Sequence, residues 1–178
     1  MGFVENQKFK AQNFAKTTIE SGNFEQCEFI DFNFEKCVFT NCNLSNIMVG
    51  NKGFKTVTFR KCKILGVRFE DCNSFLLEMR FEHCQLNLCS FHQLNLKQSS
   101  FRHCSLVEAD FTGSNLSNAL LTSCNLDGAI FENTTLNKVD LRGSHNFQIE
   151  PELNSIRGFK ISVEALSGLL MKHKLQID

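Results

Sequence analysis

Nine cysteines and five histidines are the residues of this chain whose side chains could bind a metal, form disulfides or act as nucleophiles. A structural zinc site needs four converging ligands, commonly supplied in CxxC pairs. The chain has instead the spacing CxxxxC, at 37–42 and at 84–89. It also lacks a phosphate-binding loop, a GxGxxG motif and a GxSxG nucleophile motif. These motifs predict neither an enzyme nor a protein with a metal or another cofactor.

The cysteines follow a five-residue period that runs through most of the chain. In CEFIDFNFEKCVFTNCNLSN (27–46), an apolar residue recurs at positions 29, 34, 39 and 44, and cysteines precede three of them by two places. The spacing runs from Phe9 to Phe69 and, after a shift of two residues, from Leu76 to Leu141. An α-helix repeats its apolar face every 3.6 residues and a strand every two. Internal repetition of pentapeptides is therefore the main feature of this sequence.

The pattern resembles that of the pentapeptide-repeat family, A(D/N)LXX, which EADFTGSNLSNALLTSCNLDGAIF (108–131) follows closely. The resemblance covers about residues 4–145. It implies an all-β solenoid, a right-handed quadrilateral parallel β-helix of about seven coils with four pentapeptides each. We call the apolar residue in the middle of each pentapeptide its centre.

The order of the centres supports a twenty-residue coil independently, because residues one coil apart become neighbours in a solenoid. Face 1 would carry Phe9, Phe29, Val49, Phe69, Phe91, Phe111 and Phe131. Face 3, opposite, would carry Ile19, Phe39, Phe59, Phe81, Phe101, Leu121 and Leu141. Face 2 would carry Leu76, Leu96, Leu116 and Leu136, and face 4 Leu44, Ile64, Leu86, Leu106 and Leu126. Like side chains stack on like, as dense interior packing favours.

Most cysteines fall at the inward corner two residues before a centre, where a small apolar side chain fits. Five of them form one predicted column on face 4: Cys42, Cys62, Cys84, Cys104 and Cys124. In-register neighbours point the same way about 4.8 Å apart, which does not suit disulfide geometry. We therefore predict buried, reduced thiols and a reducing compartment. The same register predicts that His83 and His103 stack on the surface.

Two interruptions of the repeat are candidate partner contacts. The stretch EDCNSFLLEM (70–79) absorbs the two-residue shift and is expected to turn Phe75 or Leu77 outward. Lys52 falls at an inward corner between two glycines, so the chain must bend there or the ammonium group must reach solvent. Lys52 also begins a basic run that extends to Arg68. A tolerated insertion and a solvated run of charges are the alternative interpretations.

The repeat is predicted to end near residue 145, which divides the chain into a β-helix (1–145) and a C-terminal segment (146–178). Ser162 is expected to cap a short α-helix over 163–172, with Leu166, Leu169 and Leu170 as its apolar stripe. KLQI (174–177) is typical of a terminal strand. Such a helix would cover the open end of the solenoid.

The ending RGFKISVEALSGLLMKHKLQI resembles the tail of the quinolone-resistance (Qnr) and MfpA pentapeptide-repeat proteins. The resemblance implies a two-fold homodimer through the tail and a rod that resembles duplex DNA. Such a rod binds DNA gyrase or topoisomerase IV and modulates quinolone sensitivity, without catalysis. By resemblance, the dimer-forming residues would be Phe159, Ile161, Leu166, Leu169, Leu170, Leu175 and Ile177. The alternative is a scaffold for another protein partner, with no topoisomerase role.

Composition limits the remaining classes. The chain has 19 basic and 19 acidic residues, so no overall field favours direct binding of nucleic acid or of an anionic membrane. No stretch approaches the roughly 18 apolar residues of a membrane span. The first residues have no basic and apolar secretory pattern, so a cytoplasmic location is expected. Zero net charge also predicts a likeness to DNA in shape more than in charge.

Overall fold

The computed structural model describes residues 8–10, 13–30, 33–50, 53–72, 77–170 and 173. Over these residues the chain winds into a parallel β-solenoid with four faces, which confirms the predicted fold class. Strand partners lie 20 residues apart, or 22 where the shift intervenes, as Phe81 pairs with both Phe59 and Phe101. The predicted coil length is therefore confirmed.

Three faces contain short strands. Face 1 consists of β1 (Lys8–Lys10), β4 (Glu28–Ile30) and β7 (Met48–Gly50). Face 2 consists of β2 (Asn13–Ala15), β5 (Asn33–Glu35) and β8 (Phe54–Lys55). Face 3 consists of β3 (Thr18–Glu20), β6 (Val38–Thr40), β9 (Val57–Arg60), β10 (Met79–Glu82), β11 (Ser100–Arg102) and β12 (Leu120–Thr122). Face 4 is held by single bridges, which run in register from Asn23 to His145.

Stacked phenylalanines fill the interior. On face 1 the rings of Phe69, Phe91 and Phe111 stack in parallel, with 5.0 Å between successive centroids. The ring of Phe101 on face 3 meets Phe91 edge to face at 5.6 Å and 84°. Both arrangements are favourable for aromatic pairs. Where successive centres are the same residue, one ring geometry continues over several coils, as from Phe69 to Phe131 on face 1.

The corners depend on left-handed backbone. The residue two places after the centre has a positive φ at most described corners, for example 54° at Asn46 and 66° at Gly128. Glycine adopts this conformation readily, and short polar residues tolerate it better than bulky ones. The backbone thus closes each corner at a position where the side chain points to solvent. These outward corner columns form the edges of the rod.

The solenoid extends further than predicted. Parallel bridges join Thr135 to Ser155 and Asp140 to Lys160, so the predicted end near residue 145 is too early. The pattern is lost because Asn146 takes the place of a centre above Leu126, while Phe147 and Ile149 fill the core from irregular positions. Two 3-10 helices, Pro151–Leu153 and Val163–Leu169, follow this irregular stretch of the chain.

The C-terminal helix differs from the predicted one. It is a 3-10 helix that ends at Leu169, whereas an α-helix over 163–172 was expected. Ser162 does not cap it, because its hydroxyl accepts the backbone N–H of Gly143 at 3.0 Å. Close packing on the rod replaces the cap. A Cβ at Gly168 would lie 2.4 Å from the carbonyl oxygen of Phe147, so only glycine fits there. The predicted strand at 174–177 lies outside the described residues.

Among the described residues, no helix is both long and apolar enough to cross a membrane.

Candidate functional site

The cysteine column on face 4 is part of the core. All five thiols are buried, at 0–3% exposure, and are not in disulfides, which confirms the predicted buried ladder. The structure also shows a role that sequence reasoning missed. The Sγ atom of Cys84 lies 3.4 Å from the carbonyl oxygen of Phe59, a centre of the preceding coil. The thiols at these corners are weak hydrogen-bond donors as well as space-filling groups.

The same position accepts other small donors. Ser144 continues the cysteine column, and its hydroxyl donates to the carbonyl oxygen of Leu121. On face 2 the Thr134 hydroxyl donates to the carbonyl oxygen of Phe111 at 2.9 Å. Serine and threonine at this position thus bind the same kind of carbonyl. Ala109 and Ala119 occupy equivalent corners without a donor, so the corner requires a small side chain and only accommodates a donor. Thiolate chemistry is not needed there, and burial raises the pKa of Cys89 to about 12.

The two stacked histidines are on the surface. The rings of His83 and His103 lie 4.8 Å apart and 5° from parallel, as the register predicted, and both side chains are exposed. A metal needs further ligands. In the described part of the chain, no three His, Cys, Asp or Glu side chains converge on a common point. The pair is a surface feature of face 3.

Charges are divided between two sides of the rod. Faces 4 and 1 are adjacent and form what we call the acidic side; faces 2 and 3 form the basic side. Described acids of the acidic side are Glu25, Glu28, Glu70, Asp71, Glu108, Asp110, Asp127 and Glu132; its bases, placed by sequence and strand register, are Lys8, Lys10, Lys63 and Arg68. Described bases of the basic side are Lys16, Lys36, Lys55, Arg60, Lys61, Arg80, Lys97, Arg102, Lys138, Arg142, Arg157 and Lys160. The acids of the basic side are Glu20, Glu35, Glu78, Glu82 and Asp140.

On each side, ion pairs neutralise residues whose charge is opposite to that of the majority: acids on the basic side and a base on the acidic side. On the basic side, Glu82 binds Arg60 at 2.9 Å and Asp140 binds Arg142 at 2.7 Å. On the acidic side, the Arg68 guanidinium lies 3.1 Å from Glu70 and 3.7 Å from Asp71. The remaining surplus is negative on one side and positive on the other. Although the net charge of the chain is zero, the two sides of the rod therefore differ in the sign of their charge.

Exposed apolar side chains lie in two places. Met48, Leu88 and Ile130 are 55%, 60% and 45% exposed and all lie on the acidic side. The other large exposed apolar residues of the described chain, among them Leu166 at 45% exposure, lie at the C-terminal end. Single exposed apolar residues are ordinary on protein surfaces. Their restriction to one side and one end identifies two candidate interaction surfaces.

The C-terminal end carries most of the predicted dimer-forming residues. Phe159, Ile161, Leu169 and Leu170 are half-buried, and Leu166 is exposed. Cavities of about 420 and 510 Å³ flank the helix, between it and the last coil. Among the described residues, the end thus carries apolar side chains that one chain leaves partly exposed. Leu175 and Ile177 lie outside the described residues.

Of the three predicted partner contacts near the interruptions of the repeat, the structure describes only Leu77. Leu77 is 6% exposed and belongs to the core, so the prediction that it could face a partner is wrong. Leu77 follows the 3-10 turn Phe69–Asp71 and packs in the hydrophobic core, while the predicted centre Leu76 lies outside the described residues. Phe75 and Lys52 lie outside the described residues.

Sequence reasoning also missed the division of charge. The columns of centres had already assigned every outward residue to a face. Sorting the charged residues by face, rather than along the chain, would have shown the two sides.

Two models of one family match the chain. The model for the pentapeptide repeat region matches residues 32–111, and the model for pentapeptide repeats, in eight copies, matches residues 104–143. A search of curated proteins found no match.

Solved structures with the same fold include QnrB1, a plasmid-mediated fluoroquinolone resistance protein. One trypsin-treated variant of QnrB1 aligns over 99% of this chain and 97% of its own, with 15% identity and a TM-score of 0.77. A second trypsin-treated variant covers the same shares at 15% identity, with a TM-score of 0.54. HetL, from the cyanobacterium Nostoc sp. strain PCC 7120, has 12% identity over 89% of this chain and 88% of its own, with a TM-score of 0.45. The repeat, its register and both family models show that this chain belongs to the pentapeptide-repeat family.

Proposed function

We propose that this protein is a non-catalytic interaction rod of the Qnr type. It binds a type II topoisomerase, DNA gyrase or topoisomerase IV, through the surface on which that enzyme holds DNA, and so changes the enzyme's sensitivity to quinolones. The alternative is an interaction rod for a different protein. The acidic side is the observation that carries the proposal.

The acidic side carries a net negative charge along the rod, as a DNA strand does. Its eight acids, less its four bases, leave roughly one net negative charge per 8 Å at the sheet spacing of about 4.8 Å. One strand of duplex DNA carries a phosphate about every 3.4 Å along the axis. A protein surface that binds duplex DNA would therefore meet negative charge along this side at somewhat under half the density of one DNA strand. The division of charge thus gives one side of a chain of zero net charge the sign that charge mimicry requires.

The shape of the chain supports the same function. Its solenoid aligns with QnrB1 over nearly the whole of both chains, and QnrB1 confers fluoroquinolone resistance. The incompletely covered C-terminal end suits a two-fold dimer, the commonest symmetric association. A tail-to-tail dimer would present two rods in line and double the length of the DNA-like surface.

DNA supercoiling by gyrase, and relaxation by topoisomerase IV, titrated with the protein with and without a quinolone, tests the proposal. We expect inhibition, or protection from the drug, at micromolar or lower concentration. The combined variant Glu108→Gln, Asp110→Asn, Asp127→Asn and Glu132→Gln should abolish the effect. The control neutralises the other side with Lys36→Gln, Lys97→Gln, Lys138→Gln and Arg157→Gln, and should retain it.

If the intact protein binds neither enzyme, the topoisomerase role is wrong. An interaction rod for another partner is then the better description.

A further inference from the structure

We propose that the topoisomerase docks on the edge between faces 4 and 1, with Leu88 at the centre of the contact. This inference rests on the proposed function and names the part of the acidic side that the enzyme would bind. The partner required is a protein surface with Lys and Arg side chains around an apolar recess.

Leu88 is unfavourable for the fold in two ways. Its φ is 61°, in the left-handed region that a bulky side chain rarely adopts. Its side chain is 60% exposed, so little apolar surface is removed from water. In the same edge column the coils below have Gly66 and Asn46, and the coils above have Glu108, whose φ is also positive, and Gly128. Leu88 is the only apolar side chain among the described non-glycine residues with a positive φ. Since folding gains little from an exposed leucine at this corner, its side chain is better explained as a contact for a partner.

Leu88 is not isolated on this edge. Met48 and Ile130 lie in the neighbouring outward column, which also contains Ser90, two residues after Leu88. Met48 lies two coils before Ser90 and Ile130 two coils after it. Each is therefore about 10 Å from Ser90 along the axis at sheet spacing. Half-exposed Leu65 and Val107 flank Leu88 on face 4. The edge therefore presents apolar side chains at regular intervals.

Acids lie on the C-terminal side of Leu88 along this edge. The coil that follows Leu88 contributes Glu108 and Asp110, and the next contributes Asp127 and Glu132. On the N-terminal side the base Arg68 is paired with acids of its own coil. Glu108, Asp127 and Glu132 are exposed, and the ion pairs of the described residues do not include them. Apolar anchors within a rim of charges are typical of protein interfaces. The acids repel anionic lipid and nucleic acid, so charge complementarity selects a basic protein surface.

The substitution Leu88→Asn separates a docking role from a structural one. Asparagine tolerates the left-handed region, so the melting temperature should stay the same or rise. Affinity for the topoisomerase should fall by at least about tenfold, as for a buried interface anchor. The matched control is Gln98→Asn, at an exposed corner on face 2 with φ 62°. It introduces the same residue at a left-handed corner of the basic side, without removing an apolar side chain, and should leave affinity unchanged.

Affinity is measured by isothermal titration calorimetry of purified gyrase and topoisomerase IV with the intact protein and both variants. Met48→Gln is the second edge variant and should also weaken binding. If the intact protein binds and Leu88→Asn binds equally well, the edge assignment is wrong and the proposed function stands. If Gln98→Asn weakens binding as much as Leu88→Asn, docking is not confined to this edge and the inference is wrong. If the intact protein binds neither enzyme, both the function and the docking edge are refuted.

Discussion

The body of the rod and its C-terminal end bury the same kinds of side chain to different extents. Phe91, in the body, is 0% exposed and lies between two parallel rings at 5.0 Å. Phe159 and Ile161 belong to the last coil and are only half-buried. The difference arises because a solenoid residue is covered by the coils on both sides of it. Burial in this fold therefore depends on a neighbouring coil on each side, and the last coil of the described residues has one on a single side.

The first test of this difference is the pair Phe91→Ala and Phe159→Ala. Removing the Phe91 ring should lower the free energy of unfolding by about 3–5 kcal/mol, because neighbouring coils cannot move independently to fill the cavity. Phe159→Ala should cost about half as much or less, since part of that ring already faces solvent. Denaturant unfolding at one protein concentration measures both. A loss below about 1 kcal/mol for Phe91→Ala, the range of exposed sites, would contradict its central position.

The sequence predicts the body well because one physical constraint acts on every coil. Each centre must match the side chain above and below it, so the period, the four faces and the cysteine column all follow from the spacing of Phe and Leu. The end obeys this constraint only in part. Asn146 takes the place of a centre and Phe147 and Ile149 fill the core irregularly, so the period is interrupted before Ile156 and Ile161 resume it.

The second test concerns what covers the end. We expect the intact chain of 20.3 kDa to form a dimer at micromolar concentration. Leu166→Arg should give a monomer with little change in its own stability, because Leu166 is 45% exposed within one chain. Sedimentation equilibrium measures the mass, and the melting temperature of the intact protein should rise with concentration.

Gln98→Arg is the matched control for the dimer, because it adds the same charge at an exposed position of the body. It should leave the dimer intact. An intact chain that remains monomeric at these concentrations would remove the tail-to-tail arrangement from the proposed function.

The third test separates the two roles of the cysteines in the body. Cys84→Ala removes a sulfur atom and its weak hydrogen bond to Phe59, and should cost about 1–2 kcal/mol. Cys84→Ser retains a donor and should cost less than Cys84→Ala, as Ser144 occupies this position naturally. Thermal and denaturant unfolding of both variants under reducing conditions give the comparison. Equal losses would mean that the thiol only fills space.

The surface was less predictable than the core for a physical reason. Outward side chains need not match their neighbours in adjacent coils, so their identities carry no period. Leu88 is an example: the register places it at an outward corner, two residues after the centre Leu86, but no constraint on the repeat predicts a leucine there. Its positive φ and its 60% exposure agree with that outward position.

The smallest expected effect lies where the body meets the end, at Asp140. Its carboxylate accepts hydrogen bonds from the Arg142 guanidinium at 2.7 and 2.9 Å, which lower the pKa of Asp140 below its ordinary value. A carboxyl with a lower pKa in the folded state stabilises the protein above its unfolded pKa of about 3.9, and this contribution is lost as pH falls through the folded value. Because the Arg142 side chain is 63% exposed, solvent screening limits the contribution to below about 1 kcal/mol.

Asp140→Asn should therefore lower stability slightly at pH 7, and the difference from the intact protein should shrink as pH falls from about 5 to 3. Unfolding measured across this range, with Glu35→Gln as the control for an exposed ion pair of the body, tests the sign. Glu35 accepts a hydrogen bond from Lys55, which lowers its pKa, but the pair lies on the open surface and should contribute less. If the Asp140→Asn difference grows as pH falls, the carboxylate is not stabilised by Arg142 in the folded protein. The last ladder of face 3 would then depend on its backbone bridges alone.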